Sequence, residues 1–223
     1  MDISAGIVLF NPDINRLKEN ISAVIVQCSH VYLVDNGSKN IDTVFELLKR
    51  FNQSRITVIS NTENLGIAKA LNQLTVAAQE DGFRWILTLD QDSVSPPNIV
   101  EEFVKYANNQ NVGMLCPVIY DRNKGVVVEA KDGYKEIDEC ITSGSLLNIS
   151  AWENIGGFDE TMFIDGVDFD ICYRLNNPMQ PGDVPVTYAD TSALERNFGF
   201  KPSTSLRDGL RKFAEWYKEF YLK

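Results

Sequence analysis

One histidine, His30, in 223 residues removes a large part of enzyme chemistry at the outset. A Ser-His-Asp relay would have to use it, and nothing in the sequence offers it a partner; set between two apolar segments, it reads as a turn residue. The four cysteines, Cys28, Cys116, Cys140 and Cys172, show no C-x-x-C spacing. Neither a zinc site nor a disulfide framework is therefore suggested, and a reducing cytosol is the simpler setting. No apolar run approaches the roughly 20 residues a helix needs to cross a bilayer. Met1-Asp2-Ile3-Ser4 leads straight into an apolar segment, without the basic start or cleavage site of a secretory leader. Positive charge is also short: 21 Lys and Arg against 31 Asp and Glu leave a formal charge of -10. That balance argues against nucleic acid as a partner, and a phosphorylated substrate would need a metal or local cations to offset the field.

What is present is an ordinary globular composition, 44% apolar, in a chain long enough to bury a sizeable core. Ala5 to Phe10 reads as a buried strand stopped by Asn11-Pro12-Asp13. Asp13 or Asn15 then caps a helix carrying Leu17, Ile21 and Val24 at helical spacing. Val31 to Val34 is a second strand, Ile41 to Phe51 a helix, Ile56 to Ile59 a third strand, and Ile67 to Gln79 a further helix before an apolar run at Trp85. Strands alternating with helices predict an α/β fold, a mostly parallel sheet with helices on both faces. From Met114 to Leu147 the pattern changes to short extended segments, predicting a small mixed or antiparallel β extension. Ala151 to Ile155 is a short helix closed by Gly156-Gly157.

The run Arg84-Trp85-Ile86-Leu87-Thr88-Leu89 ends abruptly in Asp90-Gln91-Asp92. Residues two apart on an extended strand point to one side, so the two carboxylates can converge where the strand leaves the sheet. Such a pair suits Mg2+ or Mn2+, which prefer carboxylate, water and phosphate oxygen. The competing reading is a strand ended by a solvated Asp and an Asx-turn at Asp92 to Ser95. Asn11, Asp35 to Ser38, Asn64 to Gly66 and Asp90 to Asp92 all fall at the carboxyl ends of strands. Each has a turn explanation; together they describe a ligand crevice. Tyr120 to Lys124 matches a dehydrogenase Y-x-x-x-K spacing by chance, since no glycine fingerprint follows the first strand.

These pieces, in order, resemble family-2 glycosyltransferases of the GT-A fold, a nucleotide-diphospho-sugar transferase fold, and within them the rhamnosyltransferase-like branch. They are Val34-Asp35-Asn36-Gly37-Ser38, Asn64-Leu65-Gly66-Ile67-Ala68-Lys69-Ala70-Leu71-Asn72, Asp90-Gln91-Asp92, Thr142-Ser143-Gly144, Gly156-Gly157-Phe158-Asp159-Glu160 and Phe163 to Asp170. The likeness runs over about residues 3 to 176. It implies that Asp35 accepts from the imide N–H of uracil or thymine, and that Phe10, Asn11, Asn36, Asn64, Gly66, Lys69, Ser143 and Gly144 line the donor. It further implies Asp90 near the ribose or donor sugar, and Asp92, with Asp90, holding the cation. Lys69 reads equally as a solvated helix residue. Asp168 is implied as the general base, with Asp165 as its neighbour on one helical face; without the resemblance, both acids would merely favour the positive end of a helix.

After Asn176 the pattern changes. Residues 178 to 223 are similar to the carboxyl terminus of UDP-glucuronate-type nucleotide-sugar 4-epimerases. A transferase-like domain, 1–176, is thus joined to an epimerase-like tail, 177–223, and the acceptor side of the fold is truncated, without the family's metal-shell histidine. The tail carries Leu206, Leu210, Phe213, Tyr217 and Phe220 at helical spacing, a stripe suited to docking or to a homodimer. The expected activity is inverting, metal-dependent transfer from a UDP- or dTDP-sugar to a glycan or lipid-linked acceptor in polysaccharide or O-antigen assembly. A cytoplasmic protein, in peripheral contact with the inner face of the plasma membrane, fits that role. The alternatives are a nucleotide-sugar-binding protein with little transferase activity and, opposed by the missing glycine fingerprint, an epimerase.

Overall fold

The computed structural model describes residues 2–109, 111–118, 120–121, 125–126, 133–176, 196 and 205–221. The chain divides into two compact units, Met1–Met179 and Gln180–Lys223. In the first, β1 (Ile3–Leu9), α1 (Ile14–Val24), β2 (His30–Asp35), α2 (Ile41–Leu48), β3 (Ile56–Ser60), α3 (Ile67–Glu80) and β4 (Trp85–Asp90) alternate as the periodicity predicts. They are followed by α4 (Ile99–Ala107), β5 (Met114–Leu115), β6 (Tyr120–Asp121), β7 (Gly125–Val126), β8 (Ser145–Asn148), α5 (Ile149–Asn154) and α6 (Val167–Asn176). The second unit contains α7 (Leu206–Tyr221), where the rings of Phe213, Trp216 and Phe220 stack in sequence. The remaining readings for 177–204 fall almost wholly outside the described residues. No helix among the described residues is long and apolar enough to cross a membrane.

One sheet has the order β3-β2-β1-β4-β8-β5. The first four strands are parallel, whereas β8 runs antiparallel to β4 and β5 antiparallel to β8. Strand alternation sends Ile3, Ala5, Ile7 and Leu9 to one face, where α1, α2 and α4 cover them with Leu17, Ile21, Val44, Leu47 and Phe103. The opposite face packs Tyr32, Val34, Ile86 and Leu147 against Ala70, Leu71 and Leu74 of α3, Trp152 of α5 and Ile171 of α6. Fully burying one such aliphatic side chain contributes about 1.5–3 kcal/mol, so both layers hold the strand ends in place. β2 lies on one side of β1 and β4 on the other, so the crossover direction reverses between β1 and β4. That reversal opens a crevice at the carboxyl ends of these strands.

Several expectations are corrected in detail. α2 stops at Leu48 rather than Phe51, because the amides of Arg50 and Phe51 bond back three residues, to Leu47 and Leu48, and tighten the last turn. His30 is the first residue of β2, not a turn residue; its ring lies 4.7 Å from that of Tyr32, and Nε2 lies 2.9 Å from Thr57 Oγ1. Asp165 sits in the turn before α6, with Gly166 at φ +84° between it and the helix, so it does not share a helical face with Asp168. Three cysteines that seem scattered along the sequence, Cys116, Cys140 and Cys172, lie together in space.

Candidate functional site

The site is built from the rim inward. β4 ends at Asp90, and the Ser93 amide donates to the Asp90 carbonyl at 3.1 Å. A β-turn thus brings Asp92 back toward Asp90, where strand alternation was expected to do so. The antiparallel return of β8 carries Thr142-Ser143-Gly144 to the same point. The Gly144 amide donates to the Thr88 carbonyl at 2.7 Å, and Thr88 Oγ1 donates to the Thr142 carbonyl at 2.6 Å. Ser143 Oγ accepts from the Asp90 amide at 3.0 Å and pairs with Ser93 Oγ at 2.8 Å. Asp168, in the first turn of α6, accepts from the Thr142 amide at 3.0 Å. Asp90 feels its neighbours: burial first, then repulsion from Asp92 and Asp168, pushes its carboxyl above the usual carboxylate range, against a hydrogen bond from Ser143.

A second group of loops forms the neighbouring half. Asp35, buried at the end of β2, accepts from the Ser38 amide at 3.2 Å. Asn36 donates to Asn64 Oδ1 at 2.8 Å and to the Gly66 carbonyl at 3.2 Å, while its own Oδ1 accepts from the Leu65 amide at 3.0 Å. Asn11, held at φ +50°, donates its amide to Ser38 Oγ at 2.8 Å and accepts from the Lys39 amide at 2.8 Å. Asp35 pairs in register with Leu9, and Asp90 with Val8. Two strand spacings, roughly 10 Å, therefore separate the buried acid from the acids of the β4 turn along one rim.

Residues 4–168 match the family described as Glycosyl transferase family 2. The chain belongs to that family. It is 30% identical over 193 residues to the dTDP-rhamnosyl transferase RfbF of Shigella flexneri, covering 79% of this chain and 64% of the relative. This chain therefore spans a little under two thirds of that protein's length. A short stretch of 45 residues, 20% of this chain, is 53% identical to Protein CapI of Staphylococcus aureus and covers 14% of it. Stretches of similar length match UDP-glucuronate 4-epimerases, so the epimerase likeness is real but local. Among solved structures, the mannosyltransferase PcManGT from Pyrobaculum calidifontis, in complex with GDP-Man and Mn2+, aligns with a TM-score of 0.59 at 16% identity. The alignment covers 78% of this chain and 51% of that one, and it shows a shared GT-A fold.

In this family-2 chain, Lys69 faces Glu160, with Nζ 2.8 Å from Oε2, so its charge is already partnered. Phe10 is partly exposed at the rim, and its backbone is held on both sides by Gln91: Oε1 accepts from the Phe10 amide at 2.8 Å, and Nε2 donates to the Phe10 carbonyl at 3.2 Å. Gln91 thereby bridges β1 and β4 across the crossover reversal, a role unseen in the sequence although the residue lies between the two quoted acids. Asn20 and Arg16 of α1 were also missed. Asn20 donates to the Asp90 carbonyl and Arg16 to the Asp92 carbonyl, each at 2.8 Å, so the turn's backbone is fixed while its carboxylates stay available. Asp165 is exposed in the turn before α6, three residues ahead of Asp168.

Among the described residues, no three His, Cys, Asp or Glu side chains converge closely enough to hold a metal unaided. Asp90 and Asp92 nevertheless fit a hard divalent ion. Their carboxylates repel each other, and Mg2+ or Mn2+ commonly takes one or two protein carboxylates and completes its shell with water and substrate phosphate.

Proposed function

We propose that the chain is an inverting, metal-dependent glycosyltransferase that moves a hexosyl group from a uridine- or thymidine-diphosphate sugar to a hydroxyl of a glycan or lipid-linked acceptor, in the assembly of a cell-surface polysaccharide. The observation that carries this reading is the loop Thr142-Ser143-Gly144, which bonds Asp168 through the Thr142 amide and the Asp90 amide through Ser143 and so brings both acids to the rim that also holds buried Asp35.

Asp35 accepts the imide N–H of uracil or thymine; an ionised carboxylate retains acceptor capacity beyond its bond to Ser38, and cytosine has no proton to offer there. Phe10, Asn11, Asn36, Asn64 and Gly66 wall the nucleoside, with Ser143 and Gly144 on the sugar side. Lys69 reaches the diphosphate by leaving Glu160, an exposed pair whose rupture costs about 0–1 kcal/mol. Asp92 and Asp90 are the cation's protein ligands. A divalent ion held there would supply positive charge against that of the departing nucleoside diphosphate. Asp168, held by the Thr142 amide, removes the proton from the acceptor hydroxyl as its oxygen attacks the anomeric carbon, and this single displacement inverts the centre. Asp165, exposed in the turn before α6, contacts the incoming acceptor in this reading.

Titration calorimetry with UDP and dTDP, with and without Mn2+, tests the donor half: metal-enhanced binding is expected, lost in Asp35→Asn and Asp92→Asn. Donor hydrolysis tests the other half, with an expected drop of about 10²–10⁴-fold in Asp168→Ala. An unchanged rate in that variant removes Asp168 as the base. Tight donor binding by a wild-type chain that turns nothing over makes the protein a nucleotide-sugar binder instead.

A further inference from the structure

The thiol cluster lies beside the proposed base, and the glycosyl-transfer reading makes no use of it. Cys140 Sγ is 3.8 Å from Cys172 Sγ, the Cys140 amide donates to Cys172 Sγ at 3.4 Å, and the Cys172 thiol points to the Cys140 carbonyl at 3.5 Å. Cys116 lies close enough to Cys140 to perturb its thiol, and all three thiols are free. Among the described residues this cluster makes no metal-holding group. Its position is specific. Cys140 lies two residues before Thr142, whose amide holds Asp168, and Cys172 lies one helical turn after Asp168 on α6.

We infer that Cys140 and Cys172 form a reversible disulfide, an oxidation site that ties the segment leading into Thr142 to the helix bearing Asp168. Bonding requires the two sulfurs to close by about 1.8 Å, from contact to a length of about 2.05 Å, a distance within reach of side-chain rotation. The oxidant is a peroxide. The Cys172 thiolate attacks one oxygen of hydrogen peroxide; the O–O bond breaks, hydroxide leaves and a sulfenic acid forms. The Cys140 sulfur then attacks that sulfur, the S–O bond breaks and water leaves, so two thiols and one peroxide yield one disulfide and two waters. Cys172 suits the first step: although it is buried as Cys28 is, its hydrogen bond from Cys140 outweighs burial and lowers its thiol to about 7, whereas the Cys28 thiol has no such bond and burial pushes it up to about 12.

The test uses the full chain, freed of reductant, exposed to hydrogen peroxide, alkylated and digested without reduction before mass spectrometry. The expected result is a loss of two hydrogens from the chain, a Cys140 peptide joined to a Cys172 peptide and released by dithiothreitol, and Cys28 and Cys116 recovered alkylated. Cys116→Ser should form the same link. The inference is overturned if both cysteines are recovered unlinked or as sulfinic acid, if Cys140 pairs instead with Cys116, or if the link joins two chains. These readouts require no donor, so they stand apart from the test of transferase activity.

Discussion

His30 lies in β2, against Tyr32 and Thr57. Burial holds its ring below the ordinary histidine value of 6.5, the Asp81 carboxylate pulls the other way, and Arg55 adds to the lowering. Its folded value being the lower one, the unfolded chain takes up the proton first as pH falls. Stability contributed by the neutral ring is therefore complete above about 6.5 and declines as pH drops toward the folded value. Because the chain has one histidine, its imidazole proton signals need no assignment, and an NMR titration should give a midpoint below 6.5. Gly66 carries a different residue-scale constraint. At φ +88°, a Cβ there would stand 2.7 Å from the Phe163 carbonyl oxygen, so Gly66→Ala should destabilise by about 1–3 kcal/mol, read as an earlier thermal melt. Such residue roles were unevenly legible. Asp90 and Asp92 stand out as paired acids at a strand end, and Asp168 through the family resemblance, since each also has a local structural explanation. The bonds made by Gln91, Ser38, Asn20 and Arg16 escape notice because they reach backbone atoms brought near only by the tertiary fold.

Among the elements, Asn72 gives α3 several of its links to α5 and the segment that follows it. Asn72 Oδ1 accepts from the Phe158 amide at 2.8 Å and from Trp152 Nε1 at 3.2 Å, while Nδ2 donates to the Phe158 carbonyl at 2.9 Å. Asn72→Ala leaves these groups without their partner and should cost about 2–3 kcal/mol, a fall in Tm of roughly 5–10 °C by calorimetry. Arg174 joins α6 to the same segment through the carbonyls of Ile155 and Gly157. The repeating elements themselves were readable because each buries one face, and a buried face leaves a period of two or near four in the apolar residues. The cysteine cluster was not readable: 24 and 32 residues separate its members, and no local spacing records a meeting made by β5, the approach to β8, and α6.

For the molecule as a whole, the division at Met179 and Gln180 carries a direct expectation: residues 1–179 expressed alone should fold and melt as the transferase unit does within the full chain. Scanning calorimetry of the two proteins checks this; a broadened or much earlier transition would mean that the second unit is required. The match to the family over residues 4–168 was legible because motif order survives where any single motif is ambiguous. The net charge of -10 also carries weight at this scale, since a strongly acidic molecule admits an anionic donor only where the field is locally compensated. The Phe163 carbonyl, which a Cβ on Gly66 would strike, also gives a way to watch the molecule move. The Ile67 amide donates to the Phe163 carbonyl at 2.7 Å, so any outward swing of the segment ahead of α6 must strip that proton of its acceptor. Deuterium uptake at Ile67 would then serve as a clock for the opening of the cleft, running slowest when nucleotide is bound.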